Sequence, residues 1–470
     1  MKIVIIGDGK MGFTLARLLS KEGHELVVID SNSELLSKLQ NQLDVAVVAG
    51  NGASVEIQRA ADVPRSELLI AATSSDEINL LCCMVARKLG CKSTIARVRN
   101  PEHEALLRLL KEELGLSLAI NPERAAAREI FRLLQFPSFL KRDSFAKGRV
   151  ELVEIKLRQG GVLADKTLAE IGDLIRLDIL VCAVERDGVV TIPSGSFRLR
   201  AEDKITIAAD ATELANLLRR LHIDYQKTQS VLIVGGSRIA EYLAGMLLRA
   251  HVQVTIIENR RARCEALCEA LPGALVICGD GSDQEILLSE GIRDTDALVT
   301  LTGMDEENLI ISMFGNYVGV PKTITKINRT EYNMVFADKG IDTIVCPRLL
   351  TADEIVRYVR AMGNTAGGSV VTLYRIADGS AEAMEFFVKN DAPYLKVPLS
   401  QIALKPNILV ACIIRLRKVI IPKGSDSMQK GDTVVVIAPA EHAISDLKDI
   451  FAEGVFGGAD APTAGKGRPK

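Results

Sequence analysis

Six residues near the amino end, Gly7-Asp8-Gly9-Lys10-Met11-Gly12, carry the spacing G-x-G-x-x-G directly after an apolar run and at the start of a helical stripe. In that context the first glycine makes a tight turn and the second lets backbone approach a pyrophosphate. The third allows close helix–strand packing, with phosphates resting on the helix N-terminus. Asp30 lies 18 residues past Gly12, at the end of the second apolar run. An acid there hydrogen-bonds a ribose 2′-hydroxyl and repels a 2′-phosphate, which favours NAD or plain adenosine over NADP. Lys10 stands in the loop where a cation can reach a terminal phosphate, or simply be solvated.

The elements that position these residues are written twice. Residues 3–7 return as 231–235 at an offset of 228, each followed by an i, i+4, i+7, i+8 apolar stripe. In the second copy the loop reads Gly235-Gly236-Ser237-Arg238-Ile239-Ala240, with Glu258 as the acid. A Cβ at Ser237 crowds a pyrophosphate, so dinucleotide binding there is weaker, altered or lost. Beyond this the offset is 229. Asn51-Gly52 matches Asp280-Gly281 after the third strand, where an adenine can lie. Thr73-Ser74 matches Thr302-Gly303 after the fourth, and Arg97 matches Lys326 after the fifth. Ligands collect at such strand ends; Arg97 and Lys326 suit a phosphate or an acid of a neighbouring subunit.

Within each copy the rhythm changes once. A βαβ alternation gives way to a strand-rich segment at 150–157, 180–185 and 204–208, repeated at 369–376, 408–415 and 433–438. The expected fold is α/β, a tandem duplication of a Rossmann-like doubly wound parallel-sheet domain followed by a small α+β domain. The modules fall at 1–140, 141–226, 229–366 and 367–453, with a linker at 226–228 and a disordered tail at 454–470. The helical segment Pro122–Gln135 and its counterpart at 347–360 are candidate hinge or dimer helices.

Composition removes several classes. The 58 Lys and Arg nearly balance 60 Asp and Glu, so nucleic acid is not an expected partner. Aromatic residues make up 4% and Trp is absent, which leaves little for a stacking platform. No run approaches the length of a transmembrane helix. The nine cysteines show no paired C-x-x-C spacing, and no metal set is expected. No Ser/His/Asp set or P-loop appears, and none of the five histidines has a catalytic context. A nucleotide site without catalytic groups suggests a sensor rather than an enzyme.

The order of modules resembles the TrkA family of tandem RCK/KTN proteins over residues 1–453. The residues carrying the resemblance are residues 7–12, Asp30, Gly50-Asn51-Gly52, Thr73-Ser74, Arg97, Arg99-Asn100-Pro101 and Asn121-Pro122-Glu123. Pro193-x-Gly195 and Pro422-x-Gly424, followed by Asp203 and Asp432, add the C-terminal module. The resemblance implies a cytoplasmic regulatory subunit, peripheral on the inner face of the cell membrane. Its partner is an integral membrane potassium-uptake subunit, a Trk-type pore. It further implies a homo-tetramer whose eight modules form an RCK ring, and binding of NAD(H) and ATP/ADP. Family binding positions carry over to Gly7, Asp8, Gly9, Lys10, Met11, Asp30, Asn51, Thr73, Ser74 and Arg97. By the repeat they extend to Gly235, Gly236, Ser237, Arg238, Ile239, Glu258, Thr302, Gly303 and Lys326. The alternatives are an NAD-dependent oxidoreductase and an RCK regulator of another cation transporter.

Overall fold

The computed structural model describes residues 1–100, 107, 115–135, 139–146, 148–157, 159–221, 228–329, 343–365, 370–416, 418–442, 444 and 446–452. The tail expected at 454–470, most of the linker at 226–228 and the boundary at 366/367 lie outside the described residues.

The first copy begins with β1 (Lys2–Ile6), α1 (Lys10–Lys21), β2 (Glu25–Asp30), α2 (Ser33–Gln40), β3 (Ala46–Ala49) and α3 (Val55–Ala60). It continues with β4 (Leu68–Ala71), α4 (Asp76–Leu89), β5 (Ser93–Arg97), β6 (Leu118–Ile120) and α5 (Pro122–Gln135). The strands lie in the order β3-β2-β1-β4-β5-β6 and pair in parallel throughout. Ile3, Val4 and Ile5 are wholly buried because helices cover both faces of the sheet. The strand order reverses between β1 and β4, which leaves a crevice at their carboxyl ends.

A smaller antiparallel sheet follows: β7 (Lys141–Phe145), β8 (Val150–Lys156), α6 (Leu168–Ile175), β9 (Leu180–Arg186), β10 (Val189–Thr191), β11 (Lys204–Ala209) and α7 (Ala211–Arg220). Its strand order is β10-β9-β11-β8-β7.

The second copy repeats the design. Its parallel sheet contains β12 (Ser230–Val234), α8 (Arg238–Arg249), β13 (Gln253–Glu258), α9 (Arg261–Ala270), β14 (Leu275–Cys278) and α10 (Gln284–Ser289). β15 (Ala297–Thr300), α11 (Asp305–Tyr317), β16 (Lys322–Lys326), β17 (Thr343–Val345) and α12 (Pro347–Thr365) complete it, in the order β14-β13-β12-β15-β16-β17. The last sheet holds β18 (Val370–Ile376), β19 (Ala381–Phe387), β20 (Leu409–Arg415), β21 (Lys418–Ile420) and β22 (Thr433–Pro439), ordered β18-β19-β22-β20-β21.

The first strand of the strand-rich segment repeats in a different register from the one expected from sequence. By sheet position the counterpart of β8 is β19, and β18 is the counterpart of β7. The strand at 369–376 therefore does not repeat 150–157. Both β18 and β19 carry strand-forming apolar residues, so local pattern alone did not separate them.

In space the copies regroup. One unit joins Met1–Leu140 with Tyr225–Val359, and the other joins Lys141–Asp224 with Arg360–Lys470. Within the first unit, α5 packs on the second copy. Ala126, Ala127, Ile130, Leu133 and Leu134 share one core with Val231, Ile233, Ile239, Leu243 and Leu247. Asn121 donates to the Tyr242 hydroxyl at 3.1 Å, and the Thr228 hydroxyl donates to the Leu134 carbonyl at 2.6 Å. Within the second unit the two antiparallel sheets also share a core, from Phe145, Leu152 and Cys182 to Ile376, Cys412 and Val435. Within each small sheet a buried aspartate accepts from an arginine fork: Asp203 from Nε and Nη2 of Arg186, both at 2.7 Å, and Asp432 from Nε and Nη2 of Arg415 at 2.9 and 2.8 Å. These two repeated aspartates are structural. Among the described residues, no helix is long and apolar enough to cross a membrane.

Candidate functional site

The first loop is built around its glycines. Gly7 has φ +99°, and a Cβ on it would lie 3.0 Å from the Thr73 nitrogen. A Cβ on Gly12 would lie 1.7 Å from the Gly7 carbonyl oxygen, so only glycine lets α1 start against the turn. Gly9 differs: a Cβ there would meet nothing within 4 Å among the described residues. No atom of a described residue requires its small size. Gly9 is also the N-cap of α1 and supplies no side-chain hydrogen bond, which leaves the first-turn N–H groups available to an anion.

Asp30 closes the other end of the loop. Its Oδ2 accepts the Asp8 N–H at 2.6 Å and its Oδ1 accepts the Asn32 N–H at 2.8 Å. Asp8 is buried beside it, and burial and then the Asp30 charge push its carboxyl up to about 6.

Two buried side chains fix the next strand ends. Asn79 accepts the Thr73 N–H at 2.8 Å and donates to the Arg97 carbonyl at 2.9 Å, so one amide sets the ends of β4 and β5. Asn308 does the same for Thr302 and Lys326, at 2.8 and 3.0 Å. Asp76 accepts the N–H groups of Arg99 and Asn100, both at 2.8 Å; Asp305 does so for Asn328 and Arg329. These acids stand at matching positions 229 residues apart, and both hold the loop after the fifth strand.

A cavity of about 990 Å³ opens over this edge. Gly7, Gly9, Lys10, Met11 and Asp30 line it, with Asn51, Gly52, Thr73, Ser74 and Arg97. From the second copy it receives Ser237, Arg238, Ile239 and Lys326. Asp8, Gly12, Gly235, Gly236, Glu258, Asp280, Thr302 and Gly303 do not line it. Two charged residues that the motifs do not mark as binding positions also face it, Glu123 and Arg348. The repeat held the signal, since Asn121-Pro122-Glu123 aligns with Cys346-Pro347-Arg348 and the acid is replaced by a base.

The cavity is cationic. Lys10, Arg97, Arg238, Lys326 and Arg348 face Asp30 and Glu123. Arg97 is held below its ordinary pKa by burial and then by Arg99. Lys326 is also held down by burial, against the opposing pull of Asp305 and Glu123. Its ammonium donates to the Thr302 carbonyl at 2.6 Å. Arg97 Nε and Arg348 Nε are buried without a hydrogen-bond partner among the described residues, as is Glu123 Oε2. Buried donors of this kind favour an anion that satisfies them.

The open N-terminus of α1, the clear space over Gly9 and the surrounding cations fit a nucleotide phosphate chain. The TrkA-N domain model matches residues 3–122 and 231–347, and the TrkA-C domain model matches 152–222 and 383–452. The chain belongs to the TrkA family. A Trk system potassium uptake protein TrkA homolog of Archaeoglobus fulgidus is 31% identical over 96% of this chain and 100% of its own length. TrkA of Halomonas elongata is 32% identical over 97% of this chain and 99% of its own. Among solved structures, the GsuK RCK domain covers 94% of this chain and 92% of its own at TM-score 0.60 and 20% identity, a likeness of fold. A GsuK channel bound to NAD matches 94% of this chain and 77% of its own at the same score and identity. Two TrkA-N matches, each on one parallel sheet, agree with the duplicated Rossmann-like architecture.

Proposed function

We propose that this TrkA-family chain is a nucleotide-sensing regulatory subunit that gates a membrane potassium-uptake channel or transporter. It works without catalysing a reaction, cytoplasmic and peripheral on the inner face of the cell membrane. Its four modules are 1–140, 141–226, 229–366 and 367–453, and four chains supply an eight-module ring. The ligands are NAD(H) and ATP or ADP. Residues 7–12, Asp30, Asn51-Gly52, Thr73-Ser74 and Arg97 would hold them; of the repeated set 235–239, Glu258, Asp280, Thr302-Gly303 and Lys326, the members that line the same cavity, Ser237, Arg238, Ile239 and Lys326, would form its opposite wall. The observation that carries this reading is the cationic cavity lined by both copies. The names of the relatives, potassium uptake proteins, supply the output, and GsuK structures described as bound to NAD and to ADP support the ligand class.

A ligand touching both walls favours the spacing between them that suits it. ATP and ADP differ at the end of the phosphate chain, so they set different angles between the facing nucleotide domains. Each shifts the ring only by its differential affinity for the two shapes. The test is rubidium flux through a Trk-type pore reconstituted in vesicles with the full chain. Flux should change when ATP replaces ADP. Flux indifferent to both nucleotides and to NADH would sink the reading.

A further inference from the structure

The two copies share a fold but treat their nucleotide grooves differently. In the first, α1 has no side-chain cap at Gly9. In the second, the hydroxyl of Ser237 caps α8 by accepting the Ala240 N–H at 3.4 Å. An internal oxygen thus stands where the first loop leaves donors open.

The acids differ in the same sense. Glu258 accepts the Gly236 N–H through Oε2 at 2.8 Å. Its Oε1 accepts both the N–H and the side-chain Nε of Arg260, each at 2.9 Å. Burial alone would raise this carboxyl, yet the hydrogen bonds from Arg260 and Gly236 hold it below the ordinary carboxylate range. Its charge is compensated before any ribose arrives. The corresponding bonds of Asp30 come from backbone alone, and position 32 is Asn rather than Arg.

The third difference lies on the next helix. Leu35 on α2 lines the first cavity, and Arg263 holds the same place on α9, 228 residues on. Arg263 Nε donates to the Gly236 carbonyl at 2.6 Å, and its guanidinium pairs with Glu241 at 2.7 Å. A charged side chain therefore lies across the loop carbonyls of the second copy. The first copy has Phe13 opposite Glu241 and cannot form this latch.

We infer that the second nucleotide groove is closed by its own side chains, with Arg263 as the residue that shuts it, so that each chain takes one nucleotide through its first loop. Ser237 stands in for a phosphate, Arg260 for a ribose hydroxyl pair and Arg263 for the body of the nucleoside. The second copy's Arg238 and Lys326 remain in use, as part of the wall of the first cavity. This inference rests on the nucleotide reading of that cavity and sharpens it to a stoichiometry.

Equilibrium dialysis of the full chain with ADP, and separately with NADH, reads the number bound per chain. One per chain is expected for the natural sequence. Gly9→Asp should lose all measurable binding while keeping its melting temperature, because a side chain there enters space clear of every described residue. Two nucleotides per chain, or one retained by Gly9→Asp, would overturn the inference. Adding Arg263→Leu to Gly9→Asp should restore measurable binding, and no gain would remove Arg263 from its assigned role. If the natural chain binds neither probe, the functional reading fails by itself. The Arg263→Leu variant then still decides whether that side chain shuts the second groove.

Discussion

Asp8 and Gly236 hold the same place in the two loops, and the difference between them is electrostatic. A Cβ on Gly236 would lie 2.9 Å from a Glu258 carboxylate oxygen, which shows where a side chain at this position is directed. Asp8 has that side chain, 5% exposed and against Asp30, with its Oδ1 lacking a hydrogen-bond partner among the described residues. Burial, then the neighbouring charge, raise its pKa from 3.8 to about 6. The folded state therefore holds a proton more tightly than the unfolded state between these values. The linked stability is fully present below pH 4 and is lost as pH rises through 6, by up to about 3 kcal/mol. Asp8→Asn should consequently raise the midpoint of urea unfolding at pH 7 and leave it unchanged at pH 4. An equal effect at both pH values would exclude the carboxyl pair as the cause.

At the scale of elements, α5 is the piece whose role local sequence did not reveal. Its stripe Ala126, Ile130, Leu133 and Leu134 predicts an amphipathic helix with a buried face, and the helix forms over Pro122–Gln135. The face is buried on α8 of the other copy, with a smaller contact to β17. A stripe specifies that a partner exists but not which one, because hydrophobic contact is non-directional. Ile130 is wholly buried in that shared core. Ile130→Ala should cost about 2–4 kcal/mol in chemical denaturation. If α5 were simply a solvated linker helix, the cost would fall within about 0.5 kcal/mol. The small sheets show a related limit. β18 and β19 each read as strands, and only the sheet order showed which one repeats β8.

At the scale of the whole molecule, the units are assembled from both copies, so a ligand at the first loop also faces residues of the second. In the proposed function, such a cavity would convert ligand size and charge into a preference between two arrangements. Moving a ring from 1:99 to 99:1 takes about 5.5 kcal/mol. Shared among the four chains of the proposed tetramer, that is about 1.4 kcal/mol each, or about tenfold in affinity. The proposal therefore expects nucleotide affinity to change about tenfold when the membrane pore subunit is added. Equal affinities with and without the pore, measured where flux responds, would break the proposed coupling.

The sequence by itself determined the duplication, the two parallel sheets and the glycine turn, because each depends on period, spacing or backbone freedom at one residue. Gly12 shows this directly, since its need follows from an oxygen five residues away along the chain. It also announced, without explaining, the exchange of Glu123 for Arg348. Tertiary structure alone decided that α5 crosses to the other copy and that the two antiparallel sheets share a core. It also decided that Arg97, Lys326 and Arg348, far apart in the chain, face one cavity. Burial and charge compensation depend on which surfaces meet, and chain order leaves that open. Arg263 is the clearest case. In sequence it is one more basic residue on a helix, and only its bonds to Gly236 and Glu241 show it lying across a groove.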